Sequence, residues 1–115
     1  MTTILSRTLS SPRGDVHVFV DAPRAAATDS AEWSCTYRIH GLAEDVTGTA
    51  HGIDAVQSIL LALTQIGDRL AGATGLTFLG GSDLGFPLTS WNDAESTLSF
   101  VVRHSIGAPS APSPS

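Results

Sequence analysis

This chain of 115 residues has no lysine, one cysteine and no long apolar run, and each absence excludes a class of protein. Without lysine its basic residues are six arginines against eleven acidic residues, a net charge of −5, so no cationic face is available to grip nucleic acid. With Cys35 alone, no intramolecular disulfide can form. No stretch approaches the roughly 18 apolar residues of a membrane span. Met1 to Ser10 lacks the apolar run of a signal peptide, and these readings together place the chain in the cytoplasm. Alanine, glycine and arginine without lysine point to a GC-rich bacterial coding sequence. Metal-binding pairs such as His-x-x-x-His or Cys-x-x-Cys are missing, as is the Gly-x-Ser-x-Gly elbow of a hydrolase. No metal, no cofactor and no catalytic residue is therefore assigned.

What is present is, above all, an amphipathic segment. Stepping at about 100° per residue from Gly52 to Ala71 gathers Ile53, Val56, Ile59, Leu60, Leu63, Ile66, Gly67 and Leu70 on one arc. Asp54, Gln57, Ser58, Thr64, Gln65, Asp68 and Arg69 take the other. Aliphatic side chains of this size contribute roughly 1.5 to 3 kcal/mol each when fully buried, enough to anchor a small core. Asp54 followed by Gln57 has capping-box spacing, with Gly52 a competing cap, and Gly72 and Gly75 mark the end. Leu61 falls within the polar arc, either as a single exposed leucine or as a contact for a partner or a second sheet.

The flanking segments alternate at period two. Ile4 to Leu9 and Val16 to Asp21 read as strands joined by a turn at Ser11 to Gly14, with Val16, Val18 and Val20 on one side and His17, Phe19 and Asp21 on the other. Residues Ala22 to Ala31 read as a loop. Trp33, Cys35, Tyr37 and Ile39 alternate with Ser34, Thr36, Arg38 and His40, the pattern of a central strand, and Val46 to Ala50 returns antiparallel. After the helix, Leu76 to Leu79 and Ser96 to His104 read as strands around a glycine-rich loop. The expected fold is α+β: an antiparallel sheet of about five to six strands with one long amphipathic helix across one face. One domain covers 1–106, and 107–115, made entirely of Gly, Ala, Pro and Ser, is expected to be a disordered tail.

Three segments carry a resemblance: Glu32 to Leu42, Gly52 to Gln57 running on through Leu60 and Ile66-Gly67, and Gly85-Phe86-Pro87. In order and spacing they resemble a family of small bacterial proteins known as domain of unknown function 6968, over roughly residues 4 to 87. The resemblance implies a single-domain architecture and bacterial origin, and supplies no activity. Beyond Pro87 the chain departs from the family pattern by adding Leu88 to His104.

Several constellations carry candidate chemistry. Gly75 to Ser82 has P-loop spacing with glycine where the lysine belongs, and without that ammonium the loop is read as a flexible turn in which Gly80, Gly81 and Gly85 adopt positive φ. His17, His40 and His104 sit beside outward polar residues, as expected of a solvated strand face. His51 precedes the helix and Cys35 lies among apolar neighbours, and any small-molecule pocket between helix and sheet is expected beside these two. Cys35 and His40, five apart in a strand, point to opposite faces and cannot form a nucleophile pair. Asp83, Asp93 and Glu95 cluster in late loops, where aspartates usually cap turns. Trp91 beside a polar turn either closes the core's edge or serves as an interface hot spot.

These readings favour a non-enzymatic module that binds a protein partner, of the immunity, antitoxin or accessory-subunit kind. The candidate contact set is Leu61, Gly80, Gly81, Asp83, Phe86 and Trp91, and the acidic surplus suits a basic partner. The alternatives are a small-molecule binder or enzyme using the pocket beside Cys35 and His51, and a structural homodimer formed through an exposed strand edge.

Overall fold

The computed structural model describes residues 2–27 and 32–103. His104 and the expected tail lie outside the described residues. Strands β1 (Thr3–Ser11) and β2 (Gly14–Asp21) form an antiparallel hairpin that pairs Leu9 with Val16, Arg7 with Val18 and Leu5 with Val20. At its turn Ser11 Oγ donates to Gly14 O at 2.7 Å. The expected loop after β2 contains a two-residue strand, β3 (Arg24–Ala25), set against Ser34 and Trp33. Strand β4 (Trp33–His40) takes β2 on one side and β5 (Val46–Gly52) on the other, all antiparallel. The strict alternation of β4 puts Cys35, Tyr37 and Ile39 on the same buried face as Val16, Val18 and Val20. His17 and His40 are cross-strand partners on the exposed outer face, as the polar alternation predicts.

Helix α1 (Ala55–Ala71) lies over β4 and β5. Its start follows the sequence signal: Asp54 Oδ1 accepts from Gln57 N at 2.7 Å, and Gln57 Oε1 reaches back to accept from Ile53 N at 2.8 Å. The buried stripe, however, is rotated from the expected arc. Ser58, Ala62, Thr64, Ile66, Gly67 and Leu70 are buried, whereas Ile53, Val56 and Leu60 are exposed. Ile53 precedes the cap and so belongs to no helical face. Ser58 and Thr64 can face inward because their hydroxyls donate to Ala55 O (2.9 Å) and Leu60 O (2.8 Å) and leave no polar group unpaired. Small Ser58 and Ala62 let the helix settle close to the sheet. The same rotation turns Leu61 from the polar arc to a half-buried position packed on the core. At the β5 edge the ring of Tyr37 lies across Gly48, where any Cβ would stand 2.3 Å from the phenol oxygen, and donates to Gln65 Oε1 at 3.0 Å.

On the outer face a buried carboxylate meets a partly exposed arginine. Asp21, expected to point outward beside His17 and Phe19, is only 2% exposed. Arg38 Nη2 reaches its carboxylate at 3.0 Å and Thr3 Oγ1 donates to it at 3.2 Å, while the same Nη2 donates to Thr3 Oγ1 at 2.9 Å. A side chain with an apparently solvated register is thus enclosed by its own hydrogen-bond partners.

Two late elements differ from expectation. Leu76 to Leu79 is no strand: Thr77 bridges Ser10 through N–H to O bonds of 2.9 Å in both directions, and the chain then turns sharply. Phe78 and Gly81 close that turn, with Leu79 (φ +53) and Gly80 (φ +82) at its centre, the two positive values a type I′ turn requires. The expected strand Ser96 to His104 is β7 (Thr97–Val101), and it pairs with β6 (Leu88–Asn92) in a separate two-stranded sheet.

Candidate functional site

From the turn at Leu79 and Gly80, residues 82–87 run as a strap back across the C-terminal half of α1. Gly67 makes this crossing feasible, since a Cβ there would stand 2.0 Å from Pro87 O and 3.1 Å from Phe86 Cβ. One turn of helix chemistry then fixes the exit: Asp68 accepts from Thr89 N at 2.9 Å and from Thr89 Oγ1 at 2.6 Å. Beyond that mooring, β6 and β7 stand clear of the core as an arm. Only Leu88 is half-buried; every other residue of the two strands is exposed.

The arm has two unlike faces. The register pairs Trp91 with Leu98 and Thr89 with Phe100 on one side, and Ser90 with Ser99, Asn92 with Thr97 and, at the base, Leu88 with Val101 on the other. Trp91 (57% exposed), Leu98 (54%) and Phe100 (44%) therefore form one apolar face, which Val102 continues by alternation at 56%. The tip is stiffened locally: Asn92 Oδ1 accepts from Ala94 N at 3.0 Å, Ser96 N donates to Asp93 O at 3.3 Å, and Trp91 Nε1 donates to Asp93 Oδ1. A two-stranded hairpin with nothing against its apolar face is marginal in water on its own.

Clefts flank the strap on both sides of Phe86. One, of about 290 Å³, opens between Gly67, Leu70 and Ala71 of the helix and Asp83, Leu84 and Arg103. The other, of about 210 Å³, lies between Leu63, Phe86 and Pro87 over a floor of Leu5, Val18 and Val20, with Arg7 as its charged lining residue.

Against this geometry the sequence candidates separate. Trp91 is on the arm's apolar face and leaves the core's edge to others. Gly80 and half-buried Gly81 lie in the turn before the strap, half-buried Asp83 on the larger cleft, and Phe86 is buried between the two clefts. Leu61 lies on the helix, against the core. Cys35 and His51 do not meet and neither lines the clefts flanking the strap. Cys35 faces inward opposite Ala50, whereas His51, one residue on in β5, faces outward and pairs with Glu32 Oε2 at 2.7 Å. Cys35 is fully buried and its thiol donates to Asp21 O at 3.4 Å. Burial, with the Asp21 carboxylate adding to it, pushes that thiol's pKa up, which keeps it in the poorly nucleophilic protonated form.

Leu98, Phe100 and Val102 belong to the segment Ser96 to His104, which the sequence marks as a strand but not as a contact. Their alternation was legible, but it carried no sign that water, and not the core, covers them. Arg7, between an aromatic turn and an apolar cleft, gave no sequence signal at all.

Among the described residues, no helix is long and apolar enough to cross a membrane, and no group of three or more His, Cys, Asp or Glu side chains is placed to hold a metal ion. A family model described as a domain of unknown function, DUF6968, matches residues 5–88. No curated protein and no solved structure matches the chain.

Proposed function

The chain belongs to the DUF6968 family, a domain of unknown function, and on that premise we propose that it is a non-enzymatic protein-binding module whose arm, added beyond the family domain, makes the contact. The observation that carries this reading is the uncovered apolar face of Trp91, Leu98, Phe100 and Val102 on a hairpin outside the core. Exposed apolar side chains scattered singly need no explanation, but an aromatic pair with aliphatic neighbours on one face of a projecting hairpin is how interface hot spots are built. Trp91 and Phe100 offer large contact area at little entropic cost. A partner laid on this face also supplies the packing that a lone hairpin lacks. With a net charge of −5, a basic partner is favoured on encounter, in the manner of an immunity, antitoxin or accessory-subunit protein.

The test compares the wild-type chain with the double variant Trp91→Ser/Phe100→Ser as bait in extracts of the cells that encode it, alongside light scattering of each protein alone. Supporting the reading, a protein retained by wild type is lost from a variant whose circular dichroism and melting temperature are unchanged. If instead wild type self-associates and the variant does not, the partner is a second copy of this chain. Identical retention by both proteins, with both monomeric, refutes the arm as the contact.

A further inference from the structure

The smaller cleft is lined by apolar side chains and a single charged one. Its floor and walls are Leu5, Val18, Val20, Leu63 and Phe86, and one charged side chain, Arg7, enters it. Arg7 is held firmly there. Nη1 donates to Leu84 O at 2.8 Å, and the Phe78 and Phe86 rings pack on the guanidinium at 4.2 and 5.2 Å from its carbon. Gly85, at φ +79, comes so close that a Cβ would stand 2.5 Å from Nη1. Arginine in a site like this is usually neutralised by a carboxylate. Here the ion pairs among the described residues are Arg38 with Asp21, His40 with Asp45 and His51 with Glu32, and none involves Arg7. Asp83 borders the neighbouring cleft on the other side of Phe86 and not this one.

A guanidinium has five N–H donors in a fixed plane, and Leu84 O occupies one. The others have no protein acceptor among the described residues. A planar donor array fixed in orientation, uncompensated in charge and bordered by aliphatic walls is complementary to a carboxylate attached to an apolar body. The volume of about 210 Å³ lies below the roughly 300 to 1,000 Å³ of drug-sized sites, which limits the ligand to a small acid and leaves no room for a nucleotide. We propose that this cleft binds a small apolar monocarboxylic acid, the carboxylate on Arg7 and the hydrocarbon against Val18, Val20 and Leu63. The site is separate from the arm and stands whether or not the arm binds a protein.

Phenylacetate serves as the probe, with phenylacetamide as the uncharged isostere and acetate as the body-less anion. Titration of the full-length protein, followed by methyl NMR and calorimetry, is expected to shift the Val18, Val20 and Leu63 resonances. The amide should bind at least about tenfold more weakly, and acetate should not saturate. Arg7→Met should lose at least about tenfold in affinity for phenylacetate, whereas Trp91→Ser should leave it unchanged. Because Arg7 also fastens the strap, Leu63→Trp provides a second variant that fills the cleft and keeps the arginine; it too should abolish binding. Equal affinity for acid and amide, shifts confined to other regions, or undiminished binding to Leu63→Trp would overturn the assignment, as would no saturable binding of phenylacetate to the wild type.

Discussion

The chain contains two antiparallel hairpins of similar patterning and opposite fate. In β1 and β2, Leu9, Val16, Val18 and Val20 alternate with polar residues and are essentially inaccessible to water. In β6 and β7, Trp91, Leu98 and Phe100 likewise share one face, yet they remain about half exposed, as does Val102 just beyond β7. The difference lies in what crosses each apolar face. The first hairpin is completed by β4 and by the strap, with α1 alongside, whereas the second is moored to α1 at its base and, among the described residues, keeps its apolar face about half exposed. Alternation states which side chains share a face; it is silent on whether the covering layer belongs to the same chain.

That contrast can be broken or sharpened by substitution. The largest effect is expected from Leu9→Ala, which empties a fully buried site and should cost about 2 to 5 kcal/mol in urea unfolding. The matching truncation in the arm, Leu98→Ala, should stay within about 0.5 kcal/mol. A loss at Leu98 comparable to that at Leu9 would mean that the arm is part of the core in solution. Next in size is Asp21→Asn, which leaves Arg38 without its carboxylate at a site only 2% exposed and should destabilise by about 1.5 to 3 kcal/mol. Smaller still is Asp68→Ala. It removes both acceptors of Thr89 and should lower global stability by about 1 kcal/mol or less, while amide exchange in residues 88–101 rises sharply and that of β1, β2 and β4 does not. Uniform acceleration across all strands would show that arm and body open together.

Much of this architecture was legible in the sequence. The helix cap at Asp54 and Gln57, the first hairpin and the alternation of Trp33 to His40 all follow from local rules that the tertiary structure leaves intact. What escaped depended on partners remote in sequence. Ser58 and Thr64 look polar but silence their hydroxyls on the preceding turn, so the helix buries them and leaves Val56 and Leu60 outside. Asp21 is buried because Arg38 and Thr3 reach it from two other strands. Leu88 to Asn92 lacks the alternation of a strand, since Thr89 and Ser90 interrupt it, and it forms one only by pairing with residues 97–101. At the candidate contact, Trp91 is visible as an anomaly of composition, but the strand pattern of Ser96 to His104 does not tell whether Leu98, Phe100 and Val102 meet core or water. The Arg7 cleft is assembled from β1, β2, the helix and the strap, and nothing in any one of those segments announces it.

The close passage of the strap over Gly67 has a consequence for how this chain can change. Every side chain of the hydrophobic core lies between Leu9 and Phe86, so the fold is finished before the arm begins. The described residues after Pro87 add no side chain to that core, so truncating this appendage there is expected to leave the interior closed. A single methyl group added at position 67 would have the reverse effect, lifting the last stitch of the body and casting the appendage loose while its own sequence stayed intact.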